Sequence, residues 1–507
     1  MKRALIQLSL TAALATGIAS SCVHKANRPD PVANGNYPQE VANILVAKCA
    51  VSGCHNAASY ANANNVLLDS WEHLFQGSNS GAIVVPYSPE NSSLLFFVNT
   101  DSAQGVVATP TMPEKTSSSP ATPLTKAEYQ VLKNWIASGA PDKNGNIPFA
   151  ANADSRQKIY ITQQACDLMA VIDGQSHLVM RYLTLGTKPN QIETPHCTRM
   201  SNDGKYAYVS FLNGDYLQKI DTRTDQIASA ANVGSLRFNG SWNILYVAPA
   251  DTSVVTSSFT ADGIIAHIGT AGMNIIKSLG GGSSLVYPHG ITSNKAFDTL
   301  FVTAQYGNVV YKIILNTTPI KIKSLSLDSN PAVASTSTTT VSRNPHEILM
   351  APDFSRYFVT CQGSAEVRVM DAHTDTLIAA IPVGLSPVEM AMSSTQPYIF
   401  VTCQEDVSTN AGMKGSVYAI NYNTLQAQRI DGDFYQPHGI TVDDRNGIIY
   451  VVSTNANPDG PAPHHPTGFS GRAGWYSLLD LHTFKAYDNK RYQVLVSPYS
   501  AATRFKQ

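Results

Sequence analysis

From about residue 155 an aromatic–Val–Thr element recurs, and this repeat restricts the fold more than any other feature of the chain. It reads Tyr160-Ile161-Thr162, Tyr208-Val209-Ser210, Tyr246-Val247-Ala248, Phe301-Val302-Thr303, Phe358-Val359-Thr360, Phe400-Val401-Thr402 and Tyr450-Val451-Val452. A second strand follows in most units and ends near Asp173, Asp221, Asp371, Asn421 or Asp480. Turn residues such as Asn202-Asp203-Gly204 stand before the first strand. Strands this short cannot each bury a face alone. Seven four-stranded sheets stacked radially around an axis solve that problem and leave few open edges. The first unit lacks a preceding innermost strand. Ser497-Pro498-Tyr499 aligns with Ser386-Pro387-Val388, so the last ten or so residues are expected to close the ring inside the first blade.

The repeat also aligns histidines. Fourteen residues before the third residue of the aromatic element stand His196, His289, His346 and His438, each after a proline. The same count gives Gly234 and Val388 in two other units, and closure puts Tyr499 in the remaining one. Equivalent positions face one another around a propeller axis, so the four imidazoles are expected to converge at one mouth of the channel. Converging imidazoles suit copper, zinc or iron. A Pro-His turn that bonds backbone, with its ring lining a wet channel, is the structural alternative. Glu347 and Glu389 share the next register position, as bases, ligands or partners of an arginine such as Arg343. His464 and His465 sit in a long Pro/Gly loop, while His177, His267, His373 and His482 fall off register and are expected to face solvent. The pairing of Cys166, Cys197, Cys361 and Cys403 stays open.

The front of the chain carries different chemistry. In Cys49-Ala-Val-Ser-Gly-Cys54-His55 two thiols are followed at once by an imidazole. Covalent haem attachment needs this set, with one thioether per vinyl group and the histidine as proximal iron ligand. Four residues separate the cysteines rather than two. A local disulfide or half of a zinc site are the other readings, and a zinc site needs two further ligands nearby. Met112, before Pro113 in a Pro/Thr/Ser-rich loop, is the expected distal ligand, with His73 as its rival. A capping box at Thr125 and Glu128 predicts a helix from Thr125 to Ser138, with Leu132, Trp135 and Ile136 on one face. Val41, Ile44 and Leu45 mark a second amphipathic face leading into Cys49.

Residues 38–145 resemble the single-haem cytochrome c domains fused to other modules in bacterial envelope proteins. The runs ILVAKCAVSGCHN, GAIVVPYSPENSSLLFFV, TMP and LTKAEYQVLKNWIASGA carry the likeness in order. It implies a covalent haem c on Cys49 and Cys54, with His55 and Met112 as iron ligands. Residues 155–507 resemble the seven-bladed propellers named for their Tyr-Val-Thr-Asn repeat, of the nitrous oxide reductase-like kind. The expected fold is therefore multidomain: a small all-α cytochrome c-like domain followed by an all-β seven-bladed propeller.

The N-terminus reads as an export signal over residues 1–21: Lys2 and Arg3, an apolar run from Ala4 to Ile18, then small residues before Cys22. Cys22 is the expected lipidation site, and residues 22–37 read as a polar tether. The expected address is the cell envelope, by lipid anchor to a membrane, in the periplasm or on the outer surface. Charged residues make up 14% of the 507 and the net charge is −1, so no basic field attracts nucleic acid. Two functions fit. One is electron transfer through the haem to a redox protein partner, with copper or zinc as candidates at the propeller histidines and oxidoreductase activity left open. The other is a non-enzymatic surface scaffold whose propeller recognises a protein or glycan.

Overall fold

A computed structural model describes residues 33–114, 122–282, 284–328, 342–454 and 474–505. The expected signal segment, Cys22, His464 and His465 lie outside the described residues.

The repeat region is a seven-bladed β-propeller, each blade a four-stranded antiparallel sheet. The innermost strands are Pro498–Thr503, Pro195–Met200, Trp242–Val247, Pro288–Ser293, Pro345–Met350, Pro387–Met392 and Ile440–Asp443. Each of these touches the next, and the last touches the first. The C-terminal strand supplies the inner strand of the first blade, where Ile159 faces Thr503 and Ile161 faces Ala501 on Lys158–Gln163. The two ends of the repeat region therefore meet within one sheet.

The aromatic–Val–Thr repeat has a physical reason at each position. The aromatics Tyr160, Tyr208, Phe301, Phe358, Phe400 and Tyr450 are buried. The third residue points to the axis and ties neighbouring blades together. Thr162 Oγ1 donates to His196 O (3.1 Å), Thr303 Oγ1 to His346 O (2.8 Å), Thr360 Oγ1 to Val388 O (2.9 Å) and Thr402 Oγ1 to His438 O (2.7 Å). Ser257 donates to His289 O at 3.3 Å, and Ser210 to Asn243 O. Val452 holds this position in the last blade and has no hydroxyl to offer. There the inner strands of the last and first blades meet instead through Thr441 and Thr503 (Oγ1–Oγ1 2.9 Å).

One blade differs from the sequence expectation. Tyr246-Val247-Ala248 runs on the innermost strand of the third blade, not the second. The true second strand, Ser253–Ser258, lacks an aromatic before its Thr-Ser, so the pattern slid one strand inward. Gly234 accordingly sits in a 3₁₀ turn, Val233–Ser235, and Asn243 takes the axial register.

Every inner strand starts from a strained turn. Thr194, Ser241, Tyr287, Asn344, Ser386, Gln436 and Ser497 have φ between 43° and 58°, in the left-handed region. Six of the seven precede a proline, at 195, 288, 345, 387, 437 and 498. A non-glycine residue there costs roughly 1–2 kcal/mol, and its recurrence at one mouth of the channel marks that mouth. Beyond the turn the strands close in. A Cβ on Gly290 would lie 2.6 Å from His346 O, and one on Gly439 2.4 Å from Tyr499 O.

A buried ion pair braces the first two blades. Lys158 Nζ lies 2.8 and 2.9 Å from the Asp225 carboxylate oxygens and 2.8 Å from Thr222 O. Tyr160 OH donates to the same carboxylate at 2.6 Å.

The described residues of 33–114 and 122–149 form a smaller unit around its own apolar cluster, which includes Val41, Leu45, Leu132, Trp135 and Ile136. Its helices are α1 (Gln39–Ile44), α2 (Trp71–Leu74), α3 (Ser93–Val98) and α4 (Lys126–Ala137). α1 runs on into a π-helical turn, Leu45–Cys49. Most of the remainder is turn and loop, so the expectation of an all-α unit is met only in part. The capping box on α4 is formed, and Glu128 also pairs with Lys48 beside Cys49. The unit sits on the outer edge of the last blade: Arg491 N–H donates to Asn79 O and Gln493 N–H to Ser80 O, both at 3.1 Å. That contact covers an otherwise open strand edge. Among the described residues no helix is long and apolar enough to cross a membrane.

Candidate functional site

Two places gather the candidate residues. The first is a cavity of about 560 Å³ in the front unit, within the range of small-molecule sites. Its walls include Cys49, Cys54, His55, Met112, Ile83 and Phe97, with Gln493 of the last blade at the boundary. The π-turn brings Cys49 to this wall; an extra residue in a helical turn often accompanies a functional position. His55 N–H donates to Cys49 O at 3.1 Å, folding the loop back on itself despite the wide cysteine spacing. His55 Nδ1 bonds Val66 O at 3.1 Å. That bond assigns the proton to Nδ1 and leaves the Nε2 lone pair free. Burial holds the His55 imidazole below its ordinary pKa, in the neutral form that ligates metal. Met112 is partly buried against the apolar cluster and lines the same cavity. His73 does not line it; its Nδ1 pairs with Asp69 Oδ1 at 2.6 Å. Cys49 is buried, and desolvation pushes its thiol up to about 12.

The second place is the propeller axis. The hydroxyl ties identify six equivalent residues around the ring as His196, Asn243, His289, His346, Val388 and His438, and Tyr499 holds the same place on the inner strand of the first blade. Four imidazoles and one phenol thus share a layer. Ring centres stand 4.1 Å apart for His289 and His346, 5.6 Å for His346 and His438, 3.6 Å for His438 and Tyr499, and 4.3 Å for His196 and Tyr499. All four histidines are buried. His289 Nδ1 bonds His346 O at 3.0 Å, and His196 Nδ1 bonds the Gln164 amide at 2.6 Å. His196 Nε2, His346 Nδ1 and both nitrogens of His438 make no hydrogen bond of ordinary geometry, but the backbone of Val388 stands by the His346 ring and that of Tyr499 by the His438 ring. Among the described residues no three His, Cys, Asp or Glu side chains are arranged to hold a metal ion as they stand.

Directly beside this layer lies a buried ionic group. Arg199 Nη2 pairs with Glu347 Oε2 at 2.9 Å, and Nη1 stands 3.9 Å from Glu389 Oε2. The arginine that answers these glutamates is therefore Arg199; Arg343 pairs with Asp328 and Glu366 instead. Arg199 escaped notice in the sequence because it falls on no shared register. Desolvation raises Glu389 to about 7, and its Oε1 stands 3.8 Å from His438 Nδ1.

The remaining candidates are scattered. His177 is buried rather than solvent-facing, with Nδ1 2.7 Å from Tyr450 OH, and His267 is buried against Phe297. Cys166, Cys197, Cys361 and Cys403 are free thiols, and the last three are buried.

The axial layer sets a pH dependence. Burial lowers His289 to about 4 and His438 to about 3, and lowers His196 and His346 as well. In the unfolded chain these groups bind protons below about 6.5, so the unfolded state binds more protons than the native one, and stability falls as pH falls. For His289 alone, a shift from 6.5 to about 4 amounts to roughly 3 kcal/mol once the window is crossed. Glu389 acts oppositely: it keeps a proton in the native state between about 4.5 and 7, so its stabilisation is lost as pH rises. Four imidazoles outweigh it. The urea midpoint is expected to drop between pH 6.5 and 4.5 and to drop further below 4.5. A His289→Gln/His438→Gln variant should show a shallower slope; equal slopes would refute this.

No protein-family model and no curated protein matches the chain. Solved structures similar to it include a functionally unknown protein from Desulfotomaculum acetoxidans, at 10% identity over 67% of this chain and 99% of that one, TM-score 0.47. The hydrazine synthase of Kuenenia stuttgartiensis is similar at 15% identity over 62% of this chain and 90% of that one, TM-score 0.43. A streptogramin B lyase is similar at 14% identity over 68% and 91%, TM-score 0.45.

Proposed function

We propose that this chain is an envelope electron-transfer protein that carries one covalent haem c in its front unit. The observation that carries this reading is the cavity itself: two thiols, an imidazole with a free Nε2 and a thioether all line one mostly apolar space. Cys49 and Cys54 would anchor the porphyrin, and His55 and Met112 would ligate its iron. Bound there, the haem supplies one-electron chemistry. Cys49, Cys54, His55 and Met112 all border the cavity, which supports that role. Val66 O orients His55, the mostly apolar walls would limit the water around the group, and Met112 as a ligand would favour a raised potential. Gln493 of the last blade lines the same cavity, so a group bound there would lie beside the propeller. An export signal and a lipid on Cys22, as expected from the sequence, would set the protein at a membrane facing a redox protein partner.

The expected result for protein made with the haem-attachment machinery is a c-type reduced spectrum that survives acid–acetone extraction. In Cys49→Ala/Cys54→Ala all colour should pass to the solvent phase. In Met112→Ala the haem should stay bonded while the potential falls by on the order of 100 mV or more. Extraction of all haem from the wild type would overturn the reading and leave the scaffold alternative, in which the propeller recognises a protein or glycan.

A further inference from the structure

A second cleft, of about 1100 Å³, opens between the front unit and the first blade. One wall comes from α3, α4 and the turn Pro89–Asn91. The other is built on the outermost strand of the first blade, Val179–Thr184. The cleft shares no wall residue with the thiol-lined cavity, and its volume lies at the upper end of small-molecule sites. Each wall brings one cation. Lys133 of α4 is half-buried and makes no ion pair among the described residues. Arg181 stands in the opposite wall, with Nε 3.3 Å from Asp225 Oδ2. That carboxylate already receives Lys158 Nζ at 2.8 and 2.9 Å, so one negative charge answers two cations and Arg181 is the more distant. Its Nη1 and Nη2 make no hydrogen bond among the described residues.

The rest of the lining sets the chemistry of what fits. Its one carboxylate, Glu90, is exposed at the rim and accepts from Ser88 Oγ at 2.7 Å and Asn91 Nδ2 at 3.2 Å. Cys166 also lines the cleft, but burial pushes its thiol up to about 12, so it adds no negative charge near neutral pH. Much of the remaining wall is apolar: Leu95, Ile147, Leu183 and Leu495, with the rings of Tyr129 and Tyr182. A guanidinium with unused N–H groups is shaped for a planar oxyanion, and a lysine across the gap adds charge of the same sign. We propose that this cleft binds an apolar organic acid, whose carboxylate or sulfonate pairs with Arg181 and Lys133 and whose hydrocarbon body lies against the leucine and tyrosine side chains. A neutral hydrophobe would leave both cations unanswered. A nucleic acid or other polyanion would find only two cations among apolar walls. Because the two cations belong to different units, the bound acid bridges the front unit and the first blade. The proposal stands apart from the haem reading.

The test titrates the full chain, by equilibrium dialysis, with 8-anilinonaphthalene-1-sulfonate and with N-phenyl-1-naphthylamine, which has the same rings without the sulfonate. Saturable binding of the sulfonate probe is expected, and it should weaken as salt is raised from about 0.01 to 1 M. Arg181→Gln should weaken it at least about tenfold, and the more exposed Lys133→Gln about threefold. Both variants should bind the neutral probe within about twofold of the wild type. Lys133→Gln removes no bond of the fold and should keep the wild-type urea midpoint, so it decides the matter if Arg181→Gln is destabilised. In the Cys49→Ala/Cys54→Ala background the two substitutions should have the same effects, which separates this result from any failure of haem attachment. Absence of saturable uptake of the sulfonate probe would overturn the proposal, as would Lys133→Gln and Arg181→Gln proteins that bind it like the wild type or lose both probes equally.

Discussion

A chain ending at Ser497 is expected to lose its cooperative unfolding transition altogether. The deleted strand, Pro498–Thr503, is the inner strand of the first blade and pairs with Lys158–Gln163. It also carries contacts no other segment can supply. Ser500 Oγ accepts from Thr198 N and from Arg199 at 3.3 Å, and Ser500 N donates to Thr162 Oγ1 at 3.1 Å. Arg504 Nη1 donates to Ala153 O at 2.7 Å and to Arg156 O at 3.0 Å. Without these the first blade has an open inner edge, and Arg199 loses a partner in a buried setting. Domains are stable by about 5–15 kcal/mol, and removing a central strand together with the closure of the ring exceeds that margin. The truncated protein should aggregate on expression, or show near-ultraviolet circular dichroism without fine structure. A truncated chain that unfolds cooperatively at the wild-type urea midpoint would show that the C-terminal strand does not hold the ring shut.

The second large effect belongs to Asp225. Its carboxylate receives Lys158 Nζ and Tyr160 OH, and Arg181 Nε lies 3.3 Å away; Lys158 and Asp225 are 2% and 1% exposed. Desolvation lowers the Lys158 pKa although Asp225 opposes it, which shows how far the ammonium depends on its partner. Asp225→Ala leaves that charge buried with only Thr222 O, at an expected cost of about 3–5 kcal/mol. Replacing both members, as Lys158→Met/Asp225→Leu, should recover most of the loss, because the buried ammonium goes with the carboxylate and the remaining cation, Arg181, is 27% exposed to water. Urea midpoints of the single and double variants decide this. A single variant within about 1 kcal/mol of wild type would mean the brace carries no weight.

The number of blades, the closure by the C-terminus and the axial histidines were all legible in the sequence, because each rests on a repeat. A repeat averages out local noise, and four independent copies of Pro-His at one register say more than one. The third blade was misread for the same reason: its second strand kept the Thr-Ser that the axis needs and dropped the aromatic that the pattern sought. Arg199 was illegible because it answers Glu347 from a different blade, a contact 148 residues apart in the chain. His177 was misjudged as exposed. Its partners, Tyr450 and Tyr476, come from the last blade, and only closure of the ring brings them beside the first. In the front unit the capping box and the apolar faces were local and readable. The π-turn at Leu45–Cys49 was not, since a one-residue widening of a helix leaves no mark in composition or spacing.

The missing hydroxyl at Val452 gives the wheel a seam. At six junctions the spokes are buttoned at the mouth by a hydroxyl, while the junction between last and first is joined instead by Thr441 to Thr503, Gln157 to Asp443 and His177 to Tyr450. Tyr499 sits on the unbuttoned side, stacked on His438. Ring stacking thus takes over, at the one junction without a hydroxyl, the part that a hydrogen bond plays at the other six.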